Sequence, residues 1–223
     1  MATQNEHRRL IAAAAKAALA PTGCVRRGQS RVWFSDQRYW AIMIEFQPSG
    51  FSRGSYLNVG ASWLWYDKGR GGLVFDAGYR VERAGFISFE TTEQFRPLIE
   101  RMADHAAEEV LALRAKFASI AKISHILNAE PNRQWSHTFS AAVAAGLNRE
   151  SELSRGRFHE ILSYAVSHEW HERLHSEAAV LAALLDDTGQ FRAAARRTID
   201  ARRGRARLPL IADCLEGLDS TAS

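Results

Sequence analysis

Between residues 31 and 81 apolar and mixed side chains alternate with a period of two, and nothing else in this 223-residue chain restricts its fold as strongly. Successive residues of a strand point to opposite faces, so such runs specify a sheet with one face in a core. In residues 39–47 the apolar set is Trp40, Ile42, Ile44 and Phe46, and Tyr39, Ala41, Met43, Glu45 and Gln47 oppose it. In residues 56–66 Leu57, Val59, Ala61, Trp63 and Trp65 oppose Tyr56, Asn58, Gly60, Ser62, Leu64 and Tyr66. Residues 31–35 set inward Val32 and Phe34 against outward Arg31, Trp33 and Ser35, and residues 73–81 set Leu73, Phe75, Ala77, Tyr79 and Val81 against Val74, Asp76, Gly78 and Arg80.

The connections hold Ser35-Asp36-Gln37, Pro48-Ser49-Gly50 and Lys68-Gly69-Arg70-Gly71-Gly72, too short for helical crossovers, so neighbouring strands are expected to run antiparallel. Outside this region the period is helical. Leu10, Ala13 or Ala14, Ala17 and Ala20 share one face of an opening helix that Pro21 and Gly23 end, which makes an export signal the weaker reading of the alanine-rich start. Thr91, with Gln94 three residues on, can cap a helix, and Ile99, Met102, Ala106, Val110, Leu113 and Phe117 recur along it at threes and fours. The remainder reads as helix broken at Asn128, Gly146 and Gly189, with Leu162, Val166, Trp170, Leu174, Ala178, Leu181 and Leu185 as the buried stripe of one long helix.

The expected fold is therefore α+β: an antiparallel meander of four or five strands, packed by an N-terminal helix and a long helix, with an all-helical C-terminal extension. Residues 1–128 form the sheet domain in this reading, and residues 129–223 the helical extension packed on it. With 46% hydrophobic and 24% charged residues the composition is that of a globular chain. No apolar run approaches the ~20 residues of a membrane span, so no membrane partner is expected. Two cysteines, Cys24 and Cys214, make no disulfide framework and point to the cytoplasm.

The order of elements resembles a known family. Gly23-Cys24-Val25-Arg26-Arg27-Gly28 follows a helix, an aromatic strand passes through Val32-Trp33-Phe34, a later one ends in Ile44-Glu45-Phe46-Gln47-Pro48-Ser49, and the next reads Tyr56-Leu57-Asn58-Val59-Gly60. Over residues 8–128 this is similar to the bacterial family DUF4304, in which a glycine-hydrophobic-basic-basic-glycine stretch precedes a strand. That family has no assigned activity, so the resemblance implies none here.

Catalytic signatures are few. His171-Glu172-Arg173-Leu174-His175 fits H-E-x-x-H, which on a helix sets two imidazoles one turn apart for zinc while the glutamate activates water. The extended form of that motif wants Gly and His where Ala178 and Leu181 stand, so a zinc hydrolase is a remote alternative, and the histidines read better as the rim of a helix. No glycine loop for phosphate, no dinucleotide fingerprint and no nucleophile elbow occurs, so neither a cofactor nor a catalytic residue is expected.

Two binding readings remain. In the first, the outward sheet face, through Trp33, Tyr39, Glu45, Gln47, Tyr56, Asn58 and Arg80, docks another protein, because aromatic anchors within a polar rim give such surfaces affinity. In the second, nucleic acid is the partner, held by Arg31, Arg196, Arg197, Arg202, Arg203 and Arg205. Basic residues exceed acidic by only 29 to 25, which weakens the second reading.

Overall fold

The computed structural model describes residues 2–66, 72–129 and 134–218; the tip Lys68-Gly69-Arg70-Gly71 lies outside the described residues. The protein is α+β, with an antiparallel sheet, and its C-terminal part is helical. It divides into two compact units, one made of Met1–Gln37, Ala41–Ser62 and Leu73–Ala115, the other of Arg38–Trp40, Trp63–Gly72 and Lys116–Ser223.

The first unit holds the sheet. Strands β1 (Val25–Arg26), β2 (Val32–Asp36), β3 (Trp40–Pro48), β4 (Gly54–Trp63) and β5 (Ala77–Arg80) lie in sequence order, and the short β6 (Ile87–Ser88) also pairs with β4. Helix α1 (Ala2–Leu19) buries Leu10, Ile11, Ala14, Ala15 and Leu19. Helix α2 (Thr92–Lys116) buries Phe95, Ile99, Met102, Ala106, Val110 and Leu113, which is the stripe that its spacing predicts. Thr91 Oγ accepts from the Gln94 amide at 3.2 Å, and Gln94 Oε1 accepts from the Glu90 amide at 3.3 Å, so the start of α2 is capped from both sides. Arg114 near its end donates to Ser35 Oγ of β2 at 2.7 Å, tying helix to sheet.

In β3 and β4 Ile42, Ile44, Phe46, Leu57, Val59 and Ala61 are fully buried as expected, but the opposing set is partly open only at Glu45, Gln47, Tyr56 and Asn58, because Ala41, Met43, Gly60 and Ser62 are buried as well. In β2 the expected alternation is inverted. Directly opposed residues of an antiparallel pair share a face, and Trp33 opposes Ile44 while Ser35 opposes Ile42, so both belong to the core face and are buried. Val32 and Phe34, opposite Glu45 and Met43, take the other face. Both phases of Val32-Trp33-Phe34 are apolar, so only the hairpin register decides between them. Trp33 is thus a core residue and not an outward anchor.

In the second unit α3 (Ile120–Ala129), α5 (Ser151–Leu162), α6 (Glu169–Ala183) and α7 (Thr188–Ala206) surround α4 (Trp135–Leu147). From Thr138 to Leu147 every residue of α4 is buried, and a helix apolar on all sides belongs at the centre of a bundle. Small residues permit close approach: a Cβ on Gly146 would stand 2.4 Å from the Phe191 ring of α7. Trp40, Trp63, Trp65 and Phe117 form an aromatic cluster in this unit, with Trp63 stacked on Trp65 at 5.2 Å. Tyr39 stacks on Trp65 at 6.1 Å and is buried, which corrects its outward assignment; burial pushes its hydroxyl up to about 12.

The single long helix expected over residues 162–185 is two helices. Leu162 closes α5, Val166 is exposed between the helices, and α6 begins after His168. Ser163 Oγ turns back to the Glu160 carbonyl at 2.7 Å, and the Ser167 amide and hydroxyl meet His171 Nδ1 at 3.3 and 3.1 Å. Serine side chains that bond locally in this way stop one helix and start the next.

Candidate functional site

Five of the seven outward residues expected from the sequence come together on one face of the sheet in the first unit. Asn58 of β4 opposes Arg80 of β5, so the two side chains project together. Asn58 Nδ2 donates to Glu45 Oε2 at 3.1 Å and to Gln47 Oε1 at 2.9 Å, and Arg80 Nη2 donates to the same Gln47 oxygen at 2.9 Å. The Arg80 guanidinium lies 4.0 Å from the centroid of the Tyr56 ring, and the Phe86 ring is also beside it, 4.7 Å away between centroids. Glu45, Gln47, Tyr56 and Asn58 are half-buried, whereas Arg80 and Phe86 are exposed.

Phe86 is the member that the sequence reading missed. It follows the 3-10 turn Glu82–Ala84 and Gly85, whose φ of 58° is left-handed, and it lies over Gly54, where a Cβ would come within 2.3 Å of the ring. The signal available was Gly85 directly before an aromatic residue. The face offers two amides, one carboxylate and one guanidinium beside two rings. Those groups suit recognition of polar and flat surfaces, and no nucleophile and base are paired among them.

The arginines of the nucleic-acid reading are dispersed and largely engaged. Arg31 is in the first unit, and Arg196, Arg197, Arg202, Arg203 and Arg205 are in the second. Arg202 and Arg203 are buried, and Arg203 donates to the carbonyls of Arg38 and Pro209, so neither is a surface contact. Arg196 pairs with Asp200 and Asp213 and donates to the Ala212 carbonyl. Arg197 and Arg205 are exposed. The physical reason is the turn after α7: Arg207 ends the helix in the left-handed region, and the returning chain lays its carbonyls beside the guanidinium row.

His171 and His175 are tied elsewhere too. His171 is stacked on Trp135 with centroids 4.2 Å apart and planes 3° from parallel, and His175 Nε2 meets the Leu162 carbonyl at 3.0 Å. Burial, with His168 adding to it, lowers the pKa of His171. Arg173 pairs with Glu169 at 2.8 Å. Among the described residues no group of three His, Cys, Asp or Glu is placed to hold a metal ion. Among them also, no helix is long and apolar enough to cross a membrane.

No family model matches the chain, and neither the curated proteins nor the solved structures gave a match. The chemistry of the sheet face is therefore the ground for a functional reading.

Proposed function

We propose that this protein is a non-catalytic interaction module whose docking surface is the outer sheet face formed by Glu45, Gln47, Tyr56, Asn58 and Arg80, with Phe86 at its edge. One observation carries the reading: these side chains from three strands are preorganised by mutual hydrogen bonds and by the Arg80–Tyr56 stack. Preorganised Tyr and Arg side chains lose little freedom on binding, which is why they recur at the centres of protein interfaces. Nucleic acid is the less favoured partner, because Arg196 and Arg203 of α7 are engaged within the fold and Arg202 is buried.

Kinship with DUF4304, and with it a bacterial origin, belongs to the same proposal. It is supported by Gly23 and Gly28, whose φ values of 75° and 55° need glycine at the two ends of the motif that carries the resemblance. A cytoplasmic location is supported by two buried free cysteines.

The test is affinity capture from lysate of the source cells with wild-type protein, the double variant Tyr56→Ala/Arg80→Glu, and Arg101→Gln as a surface control on α2. A protein held by wild type and by Arg101→Gln, absent with the double variant, and reconstituted as a purified pair is the expected result. Identical captures by all three would sink the proposal.

A further inference from the structure

A basic concavity lies in the first unit, lined by none of the Arg80-cluster residues. A cavity of about 600 Å³ is walled by α1, by the β1–β2 turn and by the loop from Pro48 to Gly54. Arg8, Arg26, Arg31 and Arg53 line it together with His7, and no acidic residue does so among the described residues. Arg26 is held by its own turn, with Nε and Nη2 donating to the Ser30 and Gln29 carbonyls at 2.8 and 3.1 Å, so its position is set before any ligand arrives. Arg31 Nη1 and His7 Nε2 are buried and have no hydrogen-bond partner among the described residues. A guanidinium held with one nitrogen out of water and without an acceptor is costly, and the part of Arg31 that lines the cavity is where an anion can offset its charge.

We propose that this cavity binds a small organic phosphate, with the phosphate group against Arg31 and its neighbouring arginines. The lack of a lining carboxylate selects for negative charge. Several guanidinium groups lining one cavity match the multiple oxygens of a phosphate better than a single carboxylate. Free phosphate alone is too small, since pockets of ~300–1,000 Å³ hold whole small molecules. Trp33 in the wall and the fully exposed Phe51 at the loop offer apolar surface for the organic part. The local field agrees with this: His7 is held down at about 4 by its burial and then by Arg31, Arg53 and Arg8. The inference is independent of the sheet-face reading, because the two sites share no residue.

Isothermal titration with AMP, pyrophosphate and adenosine tests it, at low salt and again with added chloride. The expected result is saturable one-to-one binding of AMP, weaker binding of pyrophosphate and none of adenosine. Arg31→Gln should weaken AMP by about tenfold or more. Arg8→Gln and Arg53→Gln replace exposed side chains and give the same readout if Arg31→Gln fails to fold, and Arg101→Gln should leave binding unchanged. Absence of saturable AMP or pyrophosphate binding at millimolar concentration overturns the proposal. So does AMP binding that is indifferent to all three lining variants. Binding confined to an oligonucleotide, with mononucleotides silent, overturns it in favour of a nucleic-acid surface.

Discussion

Arg80 lies face-on to Tyr56, its guanidinium carbon 4.0 Å from the ring centroid, while its Nη2 donates to Gln47. The arrangement joins β3, β4 and β5 through side chains. Each side chain is partly in water, so the pair is expected to contribute only about 0.5–1 kcal/mol. A double-mutant cycle over Tyr56→Leu and Arg80→Gln, read by urea unfolding, should return a coupling of that size. Zero coupling would show that the stack does not persist in solution, and the preorganisation argued for the docking face would go with it.

Trp33 and Tyr56 are both aromatic residues of the alternating region, and the structure separates them into core and surface. Trp33→Ala should lower stability by about 3–5 kcal/mol, as emptying a core site does. Tyr56→Ala should cost only about 1 kcal/mol and shift the unfolding midpoint far less than Trp33→Ala does. Comparable losses for the two would mean that β2 pairs in another register.

How far the fold could be read from the chain varied with how one-sided each segment is. In β3 and β4 one alternate set is wholly apolar and the other holds Glu45, Gln47 and Asn58, so the faces were legible and the polar cluster with them. In β2 both sets are apolar, so the phase depended on Trp33 meeting Ile44, a long-range fact. The spacing of residues 162–185 suited a continuous helix, and the break rests on Ser163 and Ser167 bonding locally. The arginine segment looked like a binding surface because its acceptors, backbone carbonyls of Arg38 and Pro209, have no signature in the sequence. The basic cavity was invisible for the same reason: His7, Arg31 and Arg53 come from three separate segments.

Gly146 of α4 and Phe191 of α7 give a test of the helical unit. Replacing a helical glycine by alanine ordinarily stabilises, by up to about 1 kcal/mol in a helix interior and less near an end such as Gly146. At Gly146 the new methyl would stand 2.4 Å from the Phe191 ring, and overpacking of that kind costs about 1–3 kcal/mol. Gly146→Ala should therefore lower the unfolding midpoint, and in a Phe191→Leu background the same substitution should become neutral or stabilising. Gly156→Ala in α5, which meets nothing within 4 Å, should raise the midpoint in either background. A raised midpoint for Gly146→Ala alone would contradict the close approach of α4 and α7.

His7 gives the pH prediction. Its imidazole is buried against Phe89 and Phe95, at 5.2 and 5.1 Å between centroids, and desolvation followed by Arg31, Arg53 and Arg8 lowers its pKa from 6.5 to about 4. Between these values the unfolded chain binds a proton that the folded chain refuses, so stability increases with pH there. The contribution is fully present above 6.5, is lost as pH falls towards 4, and is on the order of 3 kcal/mol across that window. Urea unfolding at intervals from pH 7.5 to 4 should show this slope in wild type and a shallower one in His7→Phe. An anion bound in the cavity would offset the arginine charges that depress His7 and raise its folded-state pKa towards 6.5, so AMP should narrow the window and make the wild-type slope shallower. An unchanged slope in His7→Phe would mean that other groups govern the acid sensitivity and that the cavity does not set the charge on this histidine.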